Sequence, residues 1–199
     1  MNPVQVDFCH GDLIANLVKC HKPKDVLELG FGSGFTARKI QEALDYNESG
    51  QLTNEYGPPA KYTMVDNWLD WREKGEAPPD LSEFKNNRTT IVVSNEHDFV
   101  FSAKTKWDFI FSDADHFNTE KWFEYVFDNL LNDNGILIYH DVCVKAPENG
   151  EFWFPNLKKI LDKTQERNLS HFLFNKDSLA SERCYRGLLV IFKNKLVDV

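Results

Sequence analysis

"VLELGFGSGFTA", residues 26–37, opens as an apolar run, breaks into three alternate glycines at Gly30, Gly32 and Gly34, and resumes as a helical pattern. A short apolar run that ends in glycine reads as a buried strand entering a tight turn. Glycine admits positive φ and lets another group come against the bare backbone. A strand, a glycine turn and a helix in that order put the turn at the carboxyl edge of a parallel sheet, which is where open α/β folds bind ligands.

Further strand-length apolar runs follow at 61–66 (KYTMVD), 89–94 (TTIVVS), 107–113 (WDFIFSD) and 135–141 (GILIYHD). With 25–30 they make five strands buried on both faces, as a parallel sheet between helical layers requires. Between them, 33–46 places Phe35, Ile40 and Leu44 at helical spacing, and 118–133 does so with Trp122, Tyr125, Val126, Asn129 and Leu130, with Asn118 or Thr119 as N-cap. Another helix is predicted over 157–167. The runs LSHFLFN and YRGLLVIFKN near the end are joined by nine mostly polar residues, too few for a crossover helix, so they read as an antiparallel pair. The sum is seven strands in an α/β fold. Residues 47–61 and 72–87 read as loops, the second with some helix.

The 199 residues suit one domain with a substantial core. Sixteen phenylalanines, five tryptophans and a 42% hydrophobic fraction exclude a disordered chain. Nothing approaches the ~20 consecutive apolar residues of a membrane span. The first 20 residues lack the basic and apolar regions of a secretory signal. The four cysteines are far apart and form no CxxC pair, which fits reduced thiols. These features lead us to expect a cytoplasmic protein. A net charge of −8 argues against nucleic acid as partner.

A phosphate-binding P-loop needs Gly-Lys-Ser/Thr, which is absent, and the dinucleotide fingerprint wants a glycine where Phe35 stands. The pattern here is GxGxG preceded by Glu28. It resembles motif I of the class I S-adenosylmethionine-dependent methyltransferases. The resemblance extends over about 25–193. It implies a Rossmann-like three-layer sandwich whose seven-stranded, mostly parallel sheet has the order 3-2-1-4-5-7-6, with an antiparallel last strand. It also implies that the cofactor is S-adenosylmethionine, and that Asp66, at the end of the second strand, accepts hydrogen bonds from the ribose diol. Two carboxylate oxygens suit two vicinal hydroxyl donors. Glu28, Gly30, Phe31, Gly32, Gly34, Asn67, Trp68 and Asp113 complete the expected cofactor contacts, with Asn95 near the adenine.

A second cluster sits at the ends of the fourth and fifth strands, in FSDADHF and YHDV: Asp113, Asp115, His116, His140 and Asp141. Ionisable groups gathered at one rim must pair, bind a cation or do chemistry. Oxygen and nitrogen ligands without thiolate suit Mg2+, Ca2+ or Mn2+. The cluster resembles that of metal-dependent catechol, caffeoyl-CoA and sugar O-methyltransferases. That resemblance makes Asp113, His140 and Asp141 the expected metal ligands, and Asp113 and His116 the catalytic residues, with His116 as general base. A capping turn built on Asp115 or Asn118 is the competing reading of DADH, and a hydrogen-bonded core histidine that of His140.

The expected reaction is O-methylation of a small hydroxylated acceptor by one domain spanning 1–199, in which 1–24 form a helical extension and 25–193 the cofactor-binding core. Two alternatives stay open. One is another enzyme on this cofactor fold, an aminopropyltransferase or a hydroxylase-like relative; the other is a non-catalytic binding module. The acceptor's identity and a homodimer are left open as well.

Overall fold

The computed structural model describes residues 8–49, 59–69, 79–143, 151–174 and 186–194, and residues 73, 75 and 77. The strands are β1 (Asp25–Leu29), β2 (Lys61–Asp66), β3 (Thr89–Val93), β4 (Trp107–Ser112), β5 (Leu131–His140), β6 (His171–Phe174) and β7 (Leu188–Phe192). They form one sheet in the order β3-β2-β1-β4-β5-β7-β6. The first five pair in parallel, and β7 runs antiparallel to both β5 and β6. This is the class, the strand order and the antiparallel ending expected from the sequence.

Strand periodicity sorts side chains onto two faces. Val26, Tyr62, Met64, Phe109, Phe111, Ile136 and Ile138 join Ile14 and Val18 of α1 (Phe8–His21) and Ile40 and Leu44 of α2 (Phe35–Ser49) in one core. Leu27, Leu29, Val65, Ile110, Leu137 and Tyr139 join the opposite core. That core is covered by α3 (Glu96–Ser102), by a short α4 (Phe123–Tyr125) and by α5 (Pro155–Glu166). Among the described residues, no helix is long and apolar enough to cross a membrane.

The structure departs from the sequence reading in two places. Residues 118–133 are not one regular helix: a 3-10 turn (Thr119–Lys121) leads into α4 and a π-helical turn (Val126–Leu130), and β5 has already begun at Leu131. The wider turn buries Val126, Phe127 and Leu130 together. Leu131 then faces Trp107 while Ile136 faces Phe109, so the polar residues between Leu131 and Gly135 bulge out of the ladder, with Asn134 at positive φ. A polar bulge inside a strand looks like a turn in sequence. The second departure is β3, none of whose five residues is fully buried. It is one of the two edge strands, and an edge lacks a neighbour on one side to cover it.

Candidate active site

The glycine turn is a joint between three strands. The amide of Gly30 donates to the carbonyl of Val65 on β2 at 2.8 Å, and the amide of Asp113, beyond β4, donates to the carbonyl of Leu29 at 2.8 Å. Gly30 has φ +79°, and a Cβ placed on it would lie 2.6 Å from both the Ala114 Cα and the Asp113 carbonyl oxygen. Only glycine lets the turn and the β4 loop meet this closely. Gly30→Ala is therefore expected to lower folding stability by about 1–3 kcal/mol, from left-handed strain and a backbone clash. Urea denaturation measures this, and an unchanged midpoint would show that the two loops can separate freely.

Asp66 holds the same turn from the side. One carboxylate oxygen accepts the Gly32 amide at 2.8 Å and the other accepts the Trp68 amide at 2.7 Å. The Trp68 indole N–H donates back to the Gly32 carbonyl at 3.2 Å, and its ring meets Phe31 edge-on at 5.1 Å. Trp68 is buried and has φ +48°, a strained conformation of the kind found where a site is being shaped.

Above this turn lies a cavity of about 950 Å³. Of the cofactor contacts expected from the sequence, Gly30, Phe31, Gly32, Asp66, Asn67, Trp68, Asn95 and Asp113 line it. Asn95 also caps α3, its side-chain oxygen accepting the Asp98 amide at 2.8 Å. Two expected contacts are placed elsewhere. Gly34, at φ +83°, is pressed against the ring of Phe84. Glu28 is fully buried and its carboxyl takes the Tyr62 hydroxyl, one layer behind the wall. Strand alternation explains this, because it puts Glu28 on the same face as Val26, towards α1 and α2. Burial, the largest cause, pushes the Glu28 carboxyl up to about 8; the Tyr62 hydrogen bond lowers it, while the charges of Asp113 and Asp66 raise it further.

The far rim carries Asp113, His116 and Asp141. One ligand atom from each lies within 4.8 Å of the others. The Nδ1 of His116 lies 2.8 Å from the Ala114 carbonyl and so donates to it. That leaves Nε2 aimed at the carboxylates, 3.3 Å from Asp113 Oδ1 and 3.3 Å from Asp141 Oδ2, and it makes no well-aligned hydrogen bond to either. Three electron-rich atoms converge here, an arrangement that demands a proton or a cation between them. Burial acts to lower the His116 pKa, yet the two carboxylates raise it well above the ordinary imidazole value. For Asp113, burial acts upward, but the His140 and His116 rings hold it well below the usual carboxylate range.

His140, expected from the sequence as a metal ligand, lies outside the convergent cluster. Its side chain is fully enclosed, with Nδ1 3.1 Å from Asp113 Oδ1 and Nε2 3.1 Å from Nδ1 of His10. It ends β5 on the same face as Ile136 and Ile138, towards α1, and stands behind Asp113 rather than beside it. His116 occupies the third place of the cluster instead. Asp141 reaches the rim because the chain turns there, at φ +61°. Asp115 follows the capping alternative, since its Oδ1 accepts the Phe117 and Asn118 amides, each at 3.1 Å.

Three further wall residues were not singled out as site residues from the sequence. Buried Glu96 accepts from the Ser112 hydroxyl (3.1 Å), the Asp115 amide (3.2 Å) and the Thr119 hydroxyl (2.7 Å), tying α3 to the loop that carries Asp113 and His116. Phe154 lies against the His116 ring with centroids 4.5 Å apart. Arg186 places Nη1 3.7 Å from Asp141 Oδ1. Two of them carried a signal: Glu96 follows the end of the third strand, beside Asn95, and Phe154 belongs to the aromatic run FWFP.

A family model described as a methyltransferase domain matches residues 27–142, from β1 through the end of β5. A search of curated protein sequences found no significant match. Among solved structures the fold recurs in the O-methyltransferase TomG of Streptomyces achromogenes, solved with S-adenosylmethionine, at 13% identity and a TM-score of 0.70, covering 96% of this chain and 83% of that one. An O-methyltransferase of Bacillus cereus in complex with S-adenosylhomocysteine gives 14% identity, a TM-score of 0.70 and the same coverages of 96% and 83%. The methyltransferase PaMTH1 of Podospora anserina, bound to S-adenosylhomocysteine, gives 16% identity, a TM-score of 0.65 and coverages of 94% and 79%. At such identities the likeness is one of fold, and the family match supplies the rest: the chain belongs to the methyltransferase-domain family.

Proposed function

We propose that the cavity binds S-adenosylmethionine and that the protein transfers its methyl group to an oxygen of a small hydroxylated acceptor, with a divalent cation held by Asp113, His116 and Asp141. The observation that carries this reading is the convergence of three electron-rich rim atoms within 4.8 Å, across one cavity from the Asp66-braced glycine turn. About 950 Å³ lies at the upper end of the ~300–1,000 Å³ range of small-molecule sites, which suits a cofactor and a small acceptor together. Each oxygen of Asp66 can accept more than one hydrogen bond, so a vicinal diol can join the two backbone donors already there.

In the transfer, the S–CH3 bond breaks with its electrons remaining on sulfur while an O–CH3 bond forms and the hydroxyl loses its proton. The protein's main task is to hold oxygen and sulfonium in line at attack distance. With no cation bound, His116 is the residue placed to take the proton, on Nε2, because its Nδ1 donates to the Ala114 carbonyl. Between Asp113 and Asp141 its protonated form is favoured, so it becomes a base only when another positive charge, such as the sulfonium of the bound cofactor, offsets those carboxylates. A divalent cation held by Asp113, His116 and Asp141 would occupy Nε2 of His116 and would promote the proton's loss instead by lowering the pKa of a coordinated hydroxyl. Phe154 and Phe117, in edge contact at 5.6 Å, border the acceptor side.

Calorimetry tests this reading in two stages. S-adenosylmethionine is expected to bind in the micromolar range, and Mn2+ added to the saturated protein to give a second heat that Asp141→Asn weakens at least about tenfold. Absence of cofactor binding removes the methyl-transfer reading. Cofactor binding without a metal heat removes the cation and leaves proton removal to His116 alone.

A further inference from the structure

His10 lies on α1, outside the span matched by the family model, and it is fully buried. Burying an imidazole is costly unless its nitrogens are used. The Nδ1 of His10 is 3.1 Å from Nε2 of His140, and Nδ1 of His140 is 3.1 Å from Oδ1 of Asp113. A single hydrogen-bonded string therefore runs from the N-terminal helix, past the end of β5, to a carboxylate on the cavity wall. An ionised carboxylate only accepts, so Nδ1 of His140 donates to Asp113. The proton between the two rings can sit on either nitrogen without changing the connectivity. Packing holds the string in place: the His10 ring meets His140 edge-on at 5.2 Å and Phe174 of β6 at 5.4 Å.

We propose that His10 is a positioning residue of the rim: through His140 it fixes the orientation of the Asp113 carboxylate, and with it the rim's hold on a divalent cation. The second clause rests on the cation reading above; the first stands on the hydrogen-bonded string alone. A histidine ring has two broad orientations about its outer torsion. Turning His140 over would put carbon where Nδ1 now meets Asp113. His10 biases against that turn, because the reversed ring would lose both of its bonds. Partners of this kind, one layer behind a metal ligand, typically change metal affinity by about 10–100-fold when removed.

Two measurements on the full chain decide the matter. In wild-type protein labelled with 15N at histidine, a scalar coupling across the hydrogen bond between His10 Nδ1 and His140 Nε2 is expected. Its absence, with both rings assigned, overturns the proposal without recourse to any variant. The second measurement is Mn2+ affinity by electron paramagnetic resonance. His10→Phe keeps the ring and its contact with Phe174 but has no nitrogen, so Mn2+ affinity should fall about tenfold while S-adenosylmethionine affinity and the melting midpoint stay close to wild type. His10→Asn places an amide near the Nδ1 position and should recover most of the loss. Wild-type Mn2+ affinity in His10→Phe overturns the proposal, as does a loss that tracks the melting midpoint and is not rescued by asparagine. If the wild type takes up no Mn2+, the cation reading fails by itself. The internitrogen coupling, together with a change in the His140 ring signals of His10→Phe, then decides whether His10 positions Asp113.

Discussion

If the cavity binds S-adenosylmethionine as proposed, Asp66→Ala is expected to abolish measurable binding, a loss of at least about 100-fold. Two hydrogen bonds from ribose hydroxyls to one carboxylate are charge-assisted and contribute roughly 1.5–3 kcal/mol each, so losing both costs two or more decades of affinity. The alanine variant also releases the amides of Gly32 and Trp68, which Asp66 accepts at 2.8 and 2.7 Å. The turn would then loosen just where the cofactor's chain has to lie against it. Asp66→Asn separates the two effects. Its side-chain oxygen can still hold one amide, but the other position becomes a donor facing a donor, so an intermediate loss of about tenfold is expected. Calorimetry on the three proteins, with urea melts to confirm that each is folded, measures the series. Cofactor affinity in Asp66→Ala within threefold of wild type would mean that Asp66 does not hold the ribose diol.

The parts of this molecule that were legible in its sequence are those whose signal is local. Strand and turn at 25–34 are readable because apolar alternation and glycine act over a few residues, and Asp66 is readable because it ends a strand in register with that turn. The strand order followed from the family resemblance, which the sheet bears out. What could not be read depends on side-chain direction or on distant contacts. His140 stands behind the rim and His116 within it because the parity of β5 turns His140 towards α1, while a positive φ at a non-glycine residue, Asp141, swings the next carboxylate back to His116. No local pattern announces such a φ. His10 meets His140 across most of the length of the cofactor fold. Glu28 likewise sits beside the glycines in sequence, yet the pleat sends it away from the cavity to Tyr62.

That placement of Glu28 has a large consequence for stability, because the protein buries a carboxyl that would rather be ionised. Its pKa moves from 4.5 to about 8, driven first by burial, with the charges of Asp113 and Asp66 adding to it against the Tyr62 hydrogen bond. In the folded state the group keeps its proton across the neutral range, whereas in the unfolded chain it gives the proton up above about pH 4.5. Folding must therefore take up a proton over that interval. The favourable contribution is full below pH 4.5 and is lost progressively as pH rises, levelling off once the folded group also ionises near pH 8. At about 1.4 kcal/mol for each pH unit, the interval corresponds to roughly 3–5 kcal/mol. Glu28→Gln has no proton to exchange and nearly the same shape, and its amide oxygen can still accept from Tyr62. It is expected to be close to wild type at pH 4 and more stable by a few kcal/mol at pH 8, less the cost of enclosing its amide donors, which is about 1–3 kcal/mol. Urea denaturation of both proteins from pH 4 to pH 9 gives the answer as a difference curve, in which titrations common to the two cancel. Parallel stability curves would show that Glu28 is ionised in the folded state and that its charge is held there by a partner other than Tyr62. Because the amide stays one layer behind the wall, S-adenosylmethionine affinity in Glu28→Gln should remain within a few-fold of wild type. A variant that gains stability and loses the cofactor would place the Glu28 charge inside the binding reaction itself, acting through Asp66 and Asp113.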